Sequence, residues 1–124
     1  MSQIGFYRDE NDDLNVQGIK ISSLAEKYGT PLFIYDAGLM KERYDVFLDT
    51  VKDLKGSIHY AVKANDALSI ISYFAKLGCG ADIVSIGEFE KCIAAGVSPE
   101  KIIFSGVGKD KNEIEFALKN NILQ

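Results

Sequence analysis

The fold turns on Ser57-Ile58-His59-Tyr60-Ala61-Val62-Lys63. Its length and apolar content predict a buried β-strand. Side chains alternate across a strand, so Ile58, Tyr60 and Val62 share one face and His59, Ala61 and Lys63 the other. Gly56 precedes the run. Ala67 to Leu77 follows as a helical stretch, with Leu68, Ile71, Phe74 and Ala75 inward and Gly78 just past its end. Ala81 to Ser85 is the next strand. Gly87 to Ala95 is the next helix, closed by Gly96 and carrying Cys92 on its apolar face. Ser98-Pro99-Glu100 gives a cap and a proline at a first helical position. Lys101 to Ser105 is a further strand. Asp110 and Glu113 open a further helix with Ile114, Ala117 and Leu118 inward.

The rhythm also extends backwards. Pro31 to Tyr35 reads as a compact buried strand, and Asp36 caps a helix that runs through Leu39, Phe47, Leu48, Val51 and Leu54 to Gly56. Ser23 to Tyr28 reads as a short helix, with Ser23 and Glu26 at capping-box spacing and Gly29 as its stop. Phe6-Tyr7 and Leu14-Asn15-Val16 read as two short strands across a polar turn. Four strands alternating with helices predict a parallel sheet with helical crossovers. Periodicity leaves two architectures open, a small open sheet or half of an eight-stranded barrel. A closed barrel needs about 250 residues.

Composition narrows the function classes. The chain has 124 residues, 47% of them apolar and 26% charged, with 14 basic and 18 acidic side chains and a formal charge of 14 − 18 = −4. Those proportions predict one globular domain. The acidity argues against a nucleic-acid partner held through phosphates. No apolar run of about 18 residues is present to span a membrane, and Met1 to Glu10 does not read as a signal peptide, which points to a cytoplasmic protein. Cys79 and Cys92 with the single His59 cannot make a Cys/His metal cage, and no metal is expected.

Lys63 is the first chemical candidate. At the C-terminal end of a parallel strand it lies where ligands bind in sheets and barrels alike. A lysine that loses hydration there becomes available for Schiff-base chemistry, although a strand-end lysine can equally well reach solvent. Gly106-Val107-Gly108-Lys109 lacks the gap and the Ser/Thr of a phosphate loop, since Asp110 follows.

Four segments carry a resemblance. Tyr60-Ala61-Val62-Lys63-Ala64-Asn65 resembles the cofactor-lysine motif of the fold-type III, pyridoxal-phosphate-dependent decarboxylases. Residues 28–36 (YGTPLFIYD), 80–88 (GADIVSIGE) and 104–109 (FSGVGK) resemble further segments of that family, in the same order and at family-like spacing. The resemblance covers about Gly18 to Gln124. It implies an α/β fold, the N-terminal half of a (β/α)8 TIM barrel of the alanine-racemase-like type. Residues 23–124 would form about four βα units, and residues 1–22 would be an N-terminal segment belonging to a β-domain.

The resemblance further implies pyridoxal 5'-phosphate as cofactor, Lys63 as its covalent anchor, and Asp82 and Glu88 as cofactor-binding residues. Ser85 and Glu88 also have capping-box spacing, which explains Glu88 without a ligand. Ile86 stands where the family commonly has Gly. His59 reads as a hydrogen-bonded interior residue. The implied reaction is loss of CO2 from a small amino-acid substrate in a homodimer. The segments are most similar to those of members acting on meso-diaminopimelate and yielding L-lysine. Members acting on ornithine, arginine or carboxynorspermidine are the alternatives, as is a fragment that serves only as a cofactor-binding or interaction module. A protein of roughly 400 residues is expected from a barrel plus a β-domain. The 124-residue chain alone is expected to be inactive.

Overall fold

The computed structural model describes residues 4–124. The chain divides into two compact units, residues 1–53 and 54–124.

The first unit begins with an antiparallel three-stranded sheet, β1 (Phe6–Arg8), β2 (Leu14–Val16) and β3 (Ile19–Lys20). Phe6 pairs with Val16 and Arg8 with Leu14. The polar turn between β1 and β2 is organised by Asp9. Its carboxylate accepts the Asn11 N–H at 3.0 Å, the Asp13 N–H at 3.1 Å and the Asn15 amide at 3.0 Å. The sequence signal for β3 is Gln17-Gly18. Both residues have positive φ, 51° and 78°, as a two-residue hairpin turn between Val16 and Ile19 requires.

Helix α1 spans Ile21–Tyr28 and stops at Gly29, whose N–H donates to the Ala25 carbonyl at 2.8 Å. The capping box expected at Ser23 and Glu26 does not form. The helix starts directly out of β3, which leaves Ser23 inside the first turn, where its hydroxyl donates back to the Lys20 carbonyl at 2.7 Å.

Pro31 to Tyr35, expected as a buried strand, forms no ladder among the described residues. Phe33 is 83% and Tyr35 56% exposed. A strand is defined by its neighbour, and an apolar run cannot declare whether one is present. Asp36 behaves as expected. It caps α2 (Ala37–Val51), with Oδ1 accepting the Gly38 and Leu39 N–H groups at 2.8 and 3.1 Å. The same carboxylate also accepts the Gln17 amide at 2.9 Å and the Gly5 N–H at 2.7 Å, so it ties the hairpin to the helix start. Helix α2 ends at Val51, before the expected Gly56, and buries no residue among those described.

The second unit holds three parallel strands in sequential order, β4 (His59–Ala61), β5 (Gly80–Ile83) and β6 (Ile102–Phe104), with helices α3 (Leu68–Lys76), α4 (Ile86–Ala94) and α5 (Lys111–Lys119). Each strand lies beside the one before it, without the reversal of a doubly wound sheet. The pairing aligns Tyr60, Ala81 and Ile102 on one face and Ala61, Asp82 and Ile103 on the other. The first face forms the core with Val62, Ile71, Ile83, Phe89, Cys92 and Phe104, and Phe89 meets Phe116 edge-on at 5.0 Å. Ile71, Ile83, Ile102 and Val62 are at most 1% exposed. Each such side chain contributes about 2 kcal/mol by leaving water. Leu68, Ile114 and Leu118 are 49%, 46% and 73% exposed, against the inward placement that their spacing predicts. Ile71 and Ala117, expected inward beside them, are buried, as is Ile70.

Beyond β6, the Leu123 N–H donates to the Ile102 carbonyl at 3.0 Å and the Phe104 N–H to the Gln124 carbonyl at 2.7 Å. These bonds use the free edge of β6, where a further parallel strand would pair. Asp110 and Glu113 form the expected full capping box of α5.

Asp36 links the stability of the first unit to pH. Burial pushes its carboxyl up, but the Gln17 amide and the Leu39, Gly5 and Gly38 N–H groups outweigh that and hold it below the usual carboxylate range. Its stabilisation is full above the unfolded value, near pH ~4, and is lost as pH falls through the lower native value. Asp36→Ala should cost about 1–2 kcal/mol at neutral pH and less as the acid range is entered. Urea titrations of both proteins, with hydrogen exchange at Gly5, Gly38 and Leu39, check this.

Candidate functional site

The candidate residues gather around the C-terminal ends of β4 and β5, with Asp82 on the sheet face away from the core. Lys63 is not in the strand. Ladder pairing ends at Ala61, and Val62–Ala64 is a single 3-10 turn. The reason is packing. Val62 is fully buried in the core, and the chain turns immediately after it. The Asn65 N–H closes the turn on the Val62 carbonyl at 3.0 Å. Lys63 is thereby presented as an exposed residue just past the strand end.

Asp82 lies on β5 directly across from Ala61, so the register brings it to the level where β4 ends. Its Oδ1 is shut off from solvent and has no hydrogen-bond partner among the described residues. A buried carboxylate oxygen left without a donor is costly and calls for a partner group. Its neighbours in the register are Ala61 and Ile103, neither of which carries a polar side chain. An added cationic or hydrogen-bond-donating group fits this place.

Glu88 sits in the first turn of α4. The Ser85 hydroxyl accepts the Glu88 N–H at 3.2 Å, and the Glu88 carboxylate accepts the Val84 N–H at 2.7 Å. This reciprocal clasp resembles a capping box, but its return bond reaches one residue further back than the cap itself. It fixes the turn that leaves β5. Gly106 presses on the same turn from the loop after β6. A side chain there would sit 2.9 Å from the Val84 carbonyl oxygen. Lys109 holds that loop, donating to the carbonyls of Phe104 at 2.8 Å and Gly106 at 2.6 Å with its amine over the Phe104 ring. Sequence reading excluded Lys109 from a phosphate loop but missed this stapling role, which no local signal announces.

His59 occupies the same sheet face, nearer the strand start. Its Nε2 shares a hydrogen bond with the Ser57 hydroxyl at 2.7 Å, as an interior histidine should, while Nδ1 is buried without a partner. The ring lies against Gly80, where an added Cβ would be 2.4 Å from Nδ1. Only glycine admits the imidazole there.

With this geometry in hand, comparison with known proteins identifies the class. Residues 37–124 match the family model described as the pyridoxal binding domain of the pyridoxal-dependent decarboxylases, and the chain belongs to that family. Its fold is accordingly part of an alanine-racemase-like (β/α)8 barrel. Among its relatives, the chain is 41% identical over 117 residues to the diaminopimelate decarboxylase of Vibrio cholerae, covering 94% of this chain and 28% of that one. It is 50% identical over 100 residues to the diaminopimelate decarboxylase of Helicobacter pylori, covering 81% of this chain and 25% of that one. The crystal structure of the M. jannaschii diaminopimelate decarboxylase in complex with L-lysine superposes with a TM-score of 0.89 at 34% identity, over 95% of this chain and 28% of that one. The chain thus spans about a quarter of the length of the curated relatives it matches.

Neither cysteine is a nucleophile in this setting. Burial, with the Glu88 charge adding to it, pushes the Cys92 thiol up to about 11. Burial also raises the Cys79 thiol, against opposing effects from the Tyr60 backbone and Lys101. Near pH 8, Cys92 should alkylate roughly a hundredfold or more slowly in the native protein than in urea. Timed iodoacetamide labelling read by mass spectrometry measures this. Equal rates in the two states would contradict the burial.

Proposed function

We propose that this chain holds pyridoxal 5'-phosphate through Lys63 and serves the decarboxylation of meso-diaminopimelate to L-lysine. The observation that carries the reading is the pairing of an exposed lysine just past β4 with a buried, unpartnered Asp82 oxygen across the register from the strand end. The family assignment and the diaminopimelate decarboxylase relatives support the substrate. Because the chain spans about a quarter of those relatives, the reading concerns the whole gene product, acting as a cytoplasmic homodimer. In that reading residues 1–22 contribute to a β-domain and residues 23–124 to the barrel.

When bound, the cofactor supplies an aldehyde that condenses with amines and a conjugated ring that accepts the electron pair left as CO2 departs. The chain's own residues do the rest. Lys63 Nζ would be the amine that holds the group and, when not bonded to it, would be placed to carry a proton. Asp82 Oδ1, buried without a partner among the described residues, would accept a hydrogen bond from such a group and favour its protonated form by charge proximity. Glu88 belongs to the site through the turn it clasps, keeping the end of β5 and the start of α4 in place. Asp82 Oδ1 is itself closed off from solvent, which strengthens any ion pair made there.

Lys63→Ala should abolish both CO2 release from diaminopimelate and the borohydride-stable adduct at this position. Asp82→Asn should retain the adduct and lower turnover by about a hundredfold, the scale of one lost electrostatic contact in a water-poor site. Assays on the whole gene product, with ornithine and arginine as competing substrates, test the reading. Faster turnover of either competitor would overturn the substrate assignment.

A further inference from the structure

The turn that carries Lys63 is fixed at two points. Val62 anchors its start by complete burial. Its end is held by a residue from within the strand. The Tyr60 hydroxyl donates to the Asn65 carbonyl at 3.0 Å, five residues on, and so bridges the whole turn. The Tyr60 ring is itself immobilised, stacked on Phe74 of α3 with centroids 4.6 Å apart and planes 16° from parallel. Asn65 is committed from its other side as well, since its side chain accepts the Ala67 N–H at 3.0 Å where α3 begins. Asp66, next in line, is paired with Lys91 of α4.

We propose that Tyr60 is a positioning residue for Lys63. Its hydroxyl, braced by the Phe74 ring, sets the distance between the end of β4 and Asn65 and thereby the direction in which the Lys63 amine leaves the sheet. Tyr60 faces the helices, on the side of the sheet away from Asp82, so it acts through the backbone and touches no ligand. A single 3-10 turn of three residues has little rigidity of its own. Without the bridge, the turn keeps its own Asn65 N–H to Val62 bond and the Asn65 side-chain bond to the Ala67 N–H, but loses the hydroxyl contact that ties its end back to β4. The proposal rests on Lys63 being the cofactor lysine.

The test uses the whole gene product, stripped of cofactor and then mixed with pyridoxal phosphate. Condensation of the lysine amine with the aldehyde forms a C=N bond and expels water. Cyanoborohydride then reduces that bond to a stable amine, which peptide mass spectrometry locates. The rate is measured against pyridoxal phosphate concentration for wild type, Tyr60→Phe and Asp110→Ala. Tyr60→Phe keeps the ring stack and removes only the hydroxyl. Asp110→Ala removes the α5 cap and serves as a stability control.

Tyr60→Phe should lower the saturating trapping rate at Lys63 about tenfold, the scale of a small misplacement of a reacting group. Its half-saturation concentration should stay unchanged, and Asp110→Ala should trap like wild type. Phe74→Leu, which keeps the hydroxyl but removes its brace, is the second variant and should slow trapping in the same sense. Wild-type trapping rates in either folded variant overturn the proposal. So does a parallel loss of rate and half-saturation that Asp110→Ala reproduces, because that pattern reports stability alone. A wild-type protein that forms no adduct at Lys63 overturns the cofactor assignment itself, a result distinct from either.

Discussion

The register that sets Ala61 beside Asp82 beside Ile103 is the constraint on which the second unit depends. Side chains alternate along a strand, so a slip of one residue would exchange the faces. In the observed register, Ala81, Ile83, Ile102 and Phe104 go to the helices, and Asp82 goes to the opposite face. The slipped register would bury Asp82 among aliphatic side chains and expose Ile83 and Ile102. The penalty for burying a charge there far exceeds any ladder bond gained. The packing of α3 and α4 and the placement of the site are therefore one decision made by the hydrophobic core.

Most polar side chains at the strand ends serve the backbone around them. Glu88, Ser85, Lys109 and Asp110 are all committed to backbone groups, and each closes a turn or a helix start at the loops after β5 and β6. Asp82 Oδ1 is not. Among the described residues it shares that condition with His59 Nδ1, nearer the strand start, and folded chains rarely leave such buried atoms unpaired. Lys63 is exposed, and the turn that carries it is bridged by the Tyr60 hydroxyl to the Asn65 carbonyl.

The first unit follows a different logic. It is organised by side-chain carboxylates accepting backbone N–H groups. Asp9 shapes the hairpin turn, and Asp36 joins Gly5, Gln17, Gly38 and Leu39. Its long helix buries nothing among the described residues, and the segment before it leaves Phe33 and Tyr35 largely exposed. Apolar residues at helical or strand spacing state what an element would bury if a partner covered it, and they do not supply the partner.

Local chemistry, legible in the order of residues, determined a good deal. The helix starts at Asp36, Ser85 and Asp110, the stops at Gly29 and Gly96, the parallel strands around Tyr60, Ala81 and Ile103, and the motif around Lys63 all follow from capping, glycine freedom and apolar runs within a few residues. Tertiary structure alone decided the rest. It left residues 31–35 without a ladder, ended β4 at Ala61 because Val62 belongs to the core, and placed Lys63 on a turn outside the strand. It set the His59 ring over Gly80 and left Asp82 Oδ1 without a donor. Each of these depends on what a distant segment brings into contact, and a pattern of neighbours in sequence carries no record of that.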